Sequence, residues 1–322
     1  MLQHTSSSPL FRLSLSHELS KLHFLALSLL LGFELSYYLL IVQTGIAQHY
    51  HSNLVQLLPL FVGGVVGTLV SGMNFKSLTQ PIHKIYLALG LQLILSFIYP
   101  HYNPFTLVLL GVSVGMMAPL GIYLFKEKQG LELLLALAIA YSVGTYGFTS
   151  FAEERTSLAI GFTFIALLSA FVLKDYKVEK THTVQDGSVL VYLPLILWVL
   201  LDSNLFETLS RHEGLDIWSH RTFTIIVFHL LGLVGAYFIR MSSTKQHLFI
   251  ALLFLGSYGA SYLQMPFALA LIYPFCISYY NVIVFRALTK EQSLAKLAIM
   301  MVFIGWIASG MGLGLALSQV LH

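Results

Sequence analysis

Apolar residues run along this chain in long blocks, separated by short clusters of charged, hydroxyl, glycine and proline residues. A helix that crosses a bilayer needs about 20 mainly apolar residues, because the hydrocarbon core is roughly 30 Å thick and each helical residue rises about 1.5 Å. Blocks of this kind fall near 23–43, 54–73, 85–99, 104–125, 131–150, 158–174, 189–209, 222–239, 247–263, 265–286 and 295–319, which predicts eleven transmembrane helices. The narrowest break is Tyr262-Leu263-Gln264-Met265-Pro266, where the proline suits the first turn of a new helix. If those two blocks were one bent helix, the parity of the later loops would change.

Composition changes the picture only by excluding alternatives. The 322 residues are 57% hydrophobic and 10% charged, against about a quarter charged in a soluble domain, so no water-soluble fold can hide this apolar surface. Lys and Arg near helix ends resist translocation, so their distribution tests the helix count. With the N-terminus inside, the cytoplasmic set is Arg12, Lys21, Lys76, Lys84, Lys126, Lys128, Lys174, Lys177, Lys180, Arg240, Lys245, Arg286, Lys290 and Lys296. Arg155, Arg211 and Arg221 remain outside, and a misplaced helix would have scrambled this fourteen-to-three split. The expectation is a multi-pass inner-membrane protein with its N-terminus in the cytoplasm and its C-terminus outside.

Residues 1–20 are Ser-rich, with no short apolar run followed by a small-residue cleavage site, and are expected to stay as a cytoplasmic arm. The formal charge of +3 is accounted for by loops facing anionic lipid, which points to the bilayer as partner and away from nucleic acid. Cys276 is the one cysteine, so no internal disulfide is expected.

Two loops are longer than the rest: 175–188, charged and cytoplasmic, and Arg211 to Arg221, external with one Trp and two His. The first divides the chain into a six-helix bundle, 21–174, and a five-helix bundle, 189–322. Both halves begin with an apolar run that reaches an acidic residue and then aromatic and hydroxyl side chains, Leu31-Gly32-Phe33-Glu34-Leu35-Ser36-Tyr37-Tyr38 and Leu200-Leu201-Asp202-Ser203-Asn204-Leu205-Phe206-Glu207. Internal repetition of this kind is a signature of secondary transporters.

With its six-helix half, central cytoplasmic loop and a fourth span reading Gly111-Val112-Ser113-Val114-Gly115-Met116-Met117-Ala118-Pro119-Leu120-Gly121, the chain resembles the major facilitator superfamily. The resemblance implies that the second span packs on the eleventh and the fifth on the eighth. Small residues suit such contacts: Gly63, Gly64, Gly67 and Ser71 in the second, Gly305, Ser309, Gly310, Gly312 and Gly314 in the eleventh, Ala136, Ala140 and Gly144 in the fifth, Gly232 and Gly235 in the eighth. The chain departs from that family in two places. The loop 72–84 keeps only the glycine and some positive charge of the family's motif, and a twelfth span is missing. Whether a partner supplies it is open.

An ionisable group in hydrocarbon costs several kcal/mol unless it faces a cavity or a partner, which makes each one a functional candidate. Glu34 lies near the middle of the first span, with Tyr37 and Tyr38 three and four residues on, where a tyrosine hydroxyl can share its face. It is a candidate for proton coupling or solute contact, and Asp202 with Asn204 holds the corresponding place in the seventh. Glu207 stands four residues before Arg211, at the spacing of a helix-end ion pair. His229 lies midway along the eighth and could relay protons. Gln92, Tyr141, Tyr146, Tyr258, Tyr273, Tyr280 and Asn281 supply the remaining expected cavity lining, polar and aromatic with no fixed cation. Pro119 and Pro274 interrupt the fourth and tenth spans and permit bends.

Of the thirteen histidines six fall outside, six inside and His229 within a span, and Met116-Met117 and Met300-Met301 put neighbours on different faces, so no metal site is expected. No phosphate-binding loop is present, and no cofactor is expected. The fold class is all-α integral membrane, and the expected function is secondary transport of a small cationic, neutral or amphipathic solute by alternating access, with proton coupling through Glu34 and Asp202. Two other classes stay open: an intramembrane enzyme acting on a lipid-linked substrate with His229, Asp202 or Glu207 as acid or base, which lacks a paired constellation, and a non-transporting assembly factor.

Overall fold

The computed structural model describes residues 9–50, 53–75, 78, 80–125, 130–150, 154–176, 178, 192–211, 215–218, 220–291 and 293–318, with side chains from Ser20 onward except that of Arg211. Among these residues the chain forms eleven long helices. The first, α1, is α-helical over Pro9–Tyr37, π-wound over Tyr38–Ile46, and closes with a turn at Ala47–His49. It is followed by α2 (Leu54–Gly72), α3 (Pro81–Ser96), α4 (Pro104–Leu124), α5 (Gly130–Ser150), α6 (Arg155–Val172), α7 (Leu193–Arg211), α8 (Thr222–Phe238), α9 (Ser243–Tyr262) and α10 (Pro266–Leu288). The last, α11, spans Leu294–Ser318 and is π-wound over Val302–Ile307.

Eight of these stretches are long and apolar enough to cross a membrane, while α3 and α8 are shorter apolar helices and α9 opens with the polar run Ser243-Thr244-Lys245-Gln246-His247. The ninth and tenth helices are separate. Gln264 between them takes a positive φ of 54°, and Pro266 occupies the first turn of α10, where its missing N–H costs nothing. Other starts are written just as locally. Asn53 accepts hydrogen bonds from the Val55 and Gln56 amides at 3.0 and 3.3 Å, and Asn103 with Thr106 forms a reciprocal capping box ahead of Pro104. Helix α1 overruns the expected block at both ends, reaching back to Pro9 and forward past Gln43. Of the loop 175–188, only Asp175, Tyr176 and Val178 lie within the described residues.

Each half repeats one packing plan. Helix α1 packs on α5 as α7 packs on α11, α2 on α4 as α8 on α10, and α3 on α4 as α9 on α10. Helix α6 closes the first half against α1 and α3, and among the described residues no helix closes the second half in that way. The halves meet where α5 packs on α8 and α2 on α11, the two contacts that the family resemblance implied.

The glycines do a different job from the one expected of them. A Cβ added at Gly63 or Gly67 would lie 2.1 Å from the carbonyl oxygen of Val108 or Val112, and one at Gly115 would lie 2.1 Å from that of Gly64. These residues bring α2 backbone to backbone with α4 inside the first half. Across the halves only Gly64 and Gly72 of α2 meet α11, against the Trp306 ring and against Ala295 and Ala298. Gly144 faces Leu39 of α1, Gly232 faces the Phe275 carbonyl of α10, and Gly312 faces the Leu200 carbonyl of α7. Close approach is thus spent on making each bundle rigid.

Helix α4 runs unbroken through Pro119, which deprives the Gly115 carbonyl of its helical donor four residues on. Thr68 repairs this. Its hydroxyl donates toward the Gly115 carbonyl at 2.9 Å and its own Gly64 carbonyl at 2.8 Å, and accepts from Trp306 Nε1 of α11 at 2.9 Å. Two basic residues close helix ends in parallel fashion: Lys84 donates to the Ser71 and Met73 carbonyls at 2.8 and 2.6 Å at the end of α2, and Arg286 to the Ala236 carbonyl at 3.0 Å at the end of α8.

Candidate functional site

A cavity of about 220 Å³ lies between the halves. Helices α1, α4 and α5 supply one wall, including Glu34, Tyr38, Gln43, Met117 and Tyr141, and α7, α10 and α11 the other, including Asp202, Tyr280, Asn281, Trp306 and Ser309. Gln43, Tyr141, Asp202, Asn281 and Leu39 also line a second chamber of about 100 Å³ that reaches the α7–α8 loop at Trp218 and takes in His229, Phe148 and Phe206. The two spaces adjoin at these shared side chains. Both π-wound stretches border the cavity, one in each half: Tyr38, Leu39 and Gln43 in α1, Ile304, Gly305 and Trp306 in α11. π-winding is frequent at functional positions because it re-aims side chains within a continuous helix.

The two acidic residues differ in a way their sequence contexts do not reveal. Asp202 is saturated. Tyr273 donates to its Oδ1 at 2.8 Å and Tyr280 to its Oδ2 at 2.5 Å. Glu34, only 6% exposed, receives one hydrogen bond, from Gln92 Nε2 to Oε2 at 3.0 Å, and its Oε1 has no partner. Gln92 is held in turn by Thr163 at 3.1 Å, and its own Oε1 is likewise unpartnered. A buried carboxyl group with one amide donor is a poorly satisfied group, and a proton or a cationic partner would complete it.

The remaining candidates sort by position. Tyr38 lines the cavity, as does Ser309 of the other half. Tyr38, four residues on from Glu34, is the tyrosine that shares its cavity wall, while Tyr37 is fully buried, with its hydroxyl 3.2 Å from Ser96 Oγ. Asn281 donates to the Tyr141 hydroxyl at 2.7 Å, and Tyr141 stacks on His229 at 4.4 Å with the rings 6° apart. His229 Nδ1 lies 2.7 Å from Ser278 Oγ. Tyr273 and Gln92 stand behind the lining, each holding one acid. Asn204 joins α7 to its neighbours by accepting from Tyr258 at 2.8 Å, and the two residues line a separate groove between α7 and α9. Tyr146 is 53% exposed and faces away from the cavity. Glu207 is buried, and its expected pairing with Arg211 lies outside the described residues. Among the described residues no group of three or more His, Cys, Asp or Glu could hold a metal ion.

Two lining residues escape the sequence reading. Gln43 is a polar residue at the presumed end of the first span and so reads as a boundary. Trp306 is set in an apolar run and reads as packing. The signal that could have found both is a lone polar or indole side chain inside a helix that the hydropathy alone would continue.

Two helical bundles that repeat one packing plan around a central cavity define a multi-pass membrane protein with the major facilitator fold. The solved structures agree: over 92% of this chain and 90% of that one, the fold is similar to the crystal structure of FucP, a Major Facilitator Superfamily transporter, in the outward conformation, with a TM-score of 0.59 at 14% identity. No protein-family model and no curated protein matches the sequence.

Proposed function

We propose that this chain is a secondary transporter that moves a small solute across the cytoplasmic membrane by alternating access, with Glu34 as the group that exchanges a proton or binds the solute. The observation that carries the reading is the incompletely satisfied Glu34 carboxyl on the wall of a cavity built jointly by both halves. Rocking of one rigid bundle against the other would open that cavity to either side in turn. The α2–α4 backbone contacts support rigidity within a half. Among the described residues the side-chain hydrogen bonds between the halves are few: Tyr141–Asn281, Thr68–Trp306, and Thr149–Thr222 at 3.2 Å. Asp202, with both oxygens occupied, serves to fix Tyr273 and Tyr280 in the second half. The charge distribution supports an N-terminus in the cytoplasm and a C-terminus outside.

The test is a proteoliposome assay with an internal pH-sensitive dye, in which pooled amines, amino alcohols, sugars and other metabolites are screened for solute-driven proton movement. Wild type is expected to show it with at least one pool and Glu34→Gln to lose it. Solute flux with unaltered proton movement in Glu34→Gln would remove Glu34 from the coupling step.

A further inference from the structure

The indole of Trp218 forms part of the wall of the second chamber. Trp218 lies in the loop between α7 and α8, where Asp216 Oδ1 accepts from the Trp218 amide at 2.7 Å and the Thr222 hydroxyl donates to the Trp218 carbonyl at 3.1 Å. These local bonds fold the loop inward. The indole then packs edge-on against Phe148 of the first half and Phe206 of the second, with ring centroids 5.7 and 6.1 Å away, and lines the chamber. It is 8% exposed, and its Nε1–H has no hydrogen-bond partner. A buried indole N–H normally finds an acceptor, and leaving it without one is unfavourable.

Among the described residues, five buried side chains carry an atom without a partner: Glu34, Gln92, Arg155, Trp218 and Tyr279. Of these five, only Glu34 and Trp218 line the two adjoining spaces, one in each. They are complementary: Glu34 offers an acceptor and Trp218 a donor. Among the described residues no Lys or Arg side chain lines either space, and most of the lining is aliphatic or aromatic.

We infer that the second chamber is a solute subsite roofed by Trp218, and that the transported molecule is a small amphipathic amine whose ammonium pairs with Glu34 while an uncharged acceptor oxygen at its other end takes the Trp218 Nε1–H. This rests on the transport reading and narrows its substrate class. A hydrophobic middle fits the leucine, methionine and tyrosine side chains between the two ends. The molecule replaces the proton on Glu34, so uptake of one and release of the other use the same oxygen atoms.

The test uses purified full-length protein and three series of probes with three to six methylenes: α,ω-aminoalkanols, n-alkylamines and α,ω-diols, with binding read from ligand-dependent thermal stabilisation. An aminoalkanol is expected to bind on the order of tenfold more tightly than the alkylamine of equal length, the worth of one hydrogen bond in a dry site. Trp218→Phe keeps an aromatic ring against Phe148 and Phe206 and removes the N–H, and should abolish that advantage, with a smaller loss for the alkylamine than for the aminoalkanol. Glu34→Gln should abolish the advantage of the aminoalkanol over the diol. Equal affinities in the three series, equal loss for all of them in Trp218→Phe, or binding by none of them would overturn the inference. Its failure is separable from failure of the transport reading, since the side from which the cavity is accessible can be measured without any solute.

Discussion

Thr68→Val removes a hydroxyl while keeping the shape of the side chain, at the point where α2, α4 and α11 meet. In the wild type this hydroxyl serves the Gly115 carbonyl, which Pro119 has left without its helical donor, and accepts from Trp306 across the halves. Each lost bond is worth about 1 kcal/mol in a protein interior, and interhelical bonds in membranes average somewhat less, about 0.6 kcal/mol. The substitution should therefore destabilise the folded protein by about 1–2 kcal/mol. Two second-site changes apportion it. Pro119→Ala restores a backbone N–H to the Gly115 carbonyl, so Thr68→Val in that background should cost about half as much. Trp306→Phe removes the donor on the other side, and the Thr68–Trp306 pair should show a coupling of about 0.5–1 kcal/mol in a double-mutant cycle. Reversible unfolding of the purified proteins in mixed micelles, followed by circular dichroism, measures every member of both cycles. An unchanged cost of Thr68→Val in the Pro119→Ala background would refute the argument that the hydroxyl repairs the proline's missing bond.

Other outcomes follow from the same geometry. Gly115→Ala places a methyl group 2.1 Å from the Gly64 carbonyl oxygen and must part α2 from α4, so it should destabilise by about 3 kcal/mol or more, whereas Gly314→Ala, with nothing within 4 Å, should be near neutral in the same unfolding assay. Asp202→Asn presents an amide to one of two tyrosine hydroxyls that now donate to a carboxylate, and should cost about 1–3 kcal/mol of stability, more than Glu34→Gln does. Lys84→Met uncaps the end of α2 beside its contact with α11 and should lower the melting temperature without altering solute affinity. A reporter fused after His322 should be reactive from outside intact cells and one fused before Met1 should not.

The helix count and most helix limits were legible because a bilayer imposes one length and one polarity on every span. Pro81, Pro104 and Pro266 mark helix starts through chemistry that is local in sequence. The pairing of spans two with eleven and five with eight also came through the family resemblance. What did not come through were the partners of particular residues. Gly63 and Gly67 read equally well as contacts for any neighbour, and only the fold assigns them to α4. Glu34 and Asp202 look alike in sequence, yet the tyrosines that saturate Asp202 arrive from α10, more than seventy residues away, while only Gln92 reaches Glu34. The π-winding over Tyr38–Ile46, which carries Tyr38 and Gln43 on the cavity wall, cannot be read from a 3.6-residue period. Trp218 was visible only as an aromatic residue in an external loop, because its free N–H and its place over the chamber depend on side chains from α5 and α7.

The central claim is that one cavity opens alternately to the two sides, and cysteine accessibility tests it without knowledge of the solute. With buried Cys276 replaced by Ala, a single reporter cysteine is placed at Leu288, toward the end of the cavity near the α10–α11 turn, and labelled with a membrane-impermeant thiol reagent in right-side-out and inside-out vesicles. The pair Thr149→Cys and Thr222→Cys, whose native hydroxyls are 3.2 Å apart across the halves, is then oxidised to lock the end near the α7–α8 loop. The account predicts labelling from the cytoplasmic side that the lock preserves or increases, labelling from outside that the lock abolishes, and full recovery of outside labelling on reduction. Labelling from one side only, unaffected by the lock, would contradict alternating access.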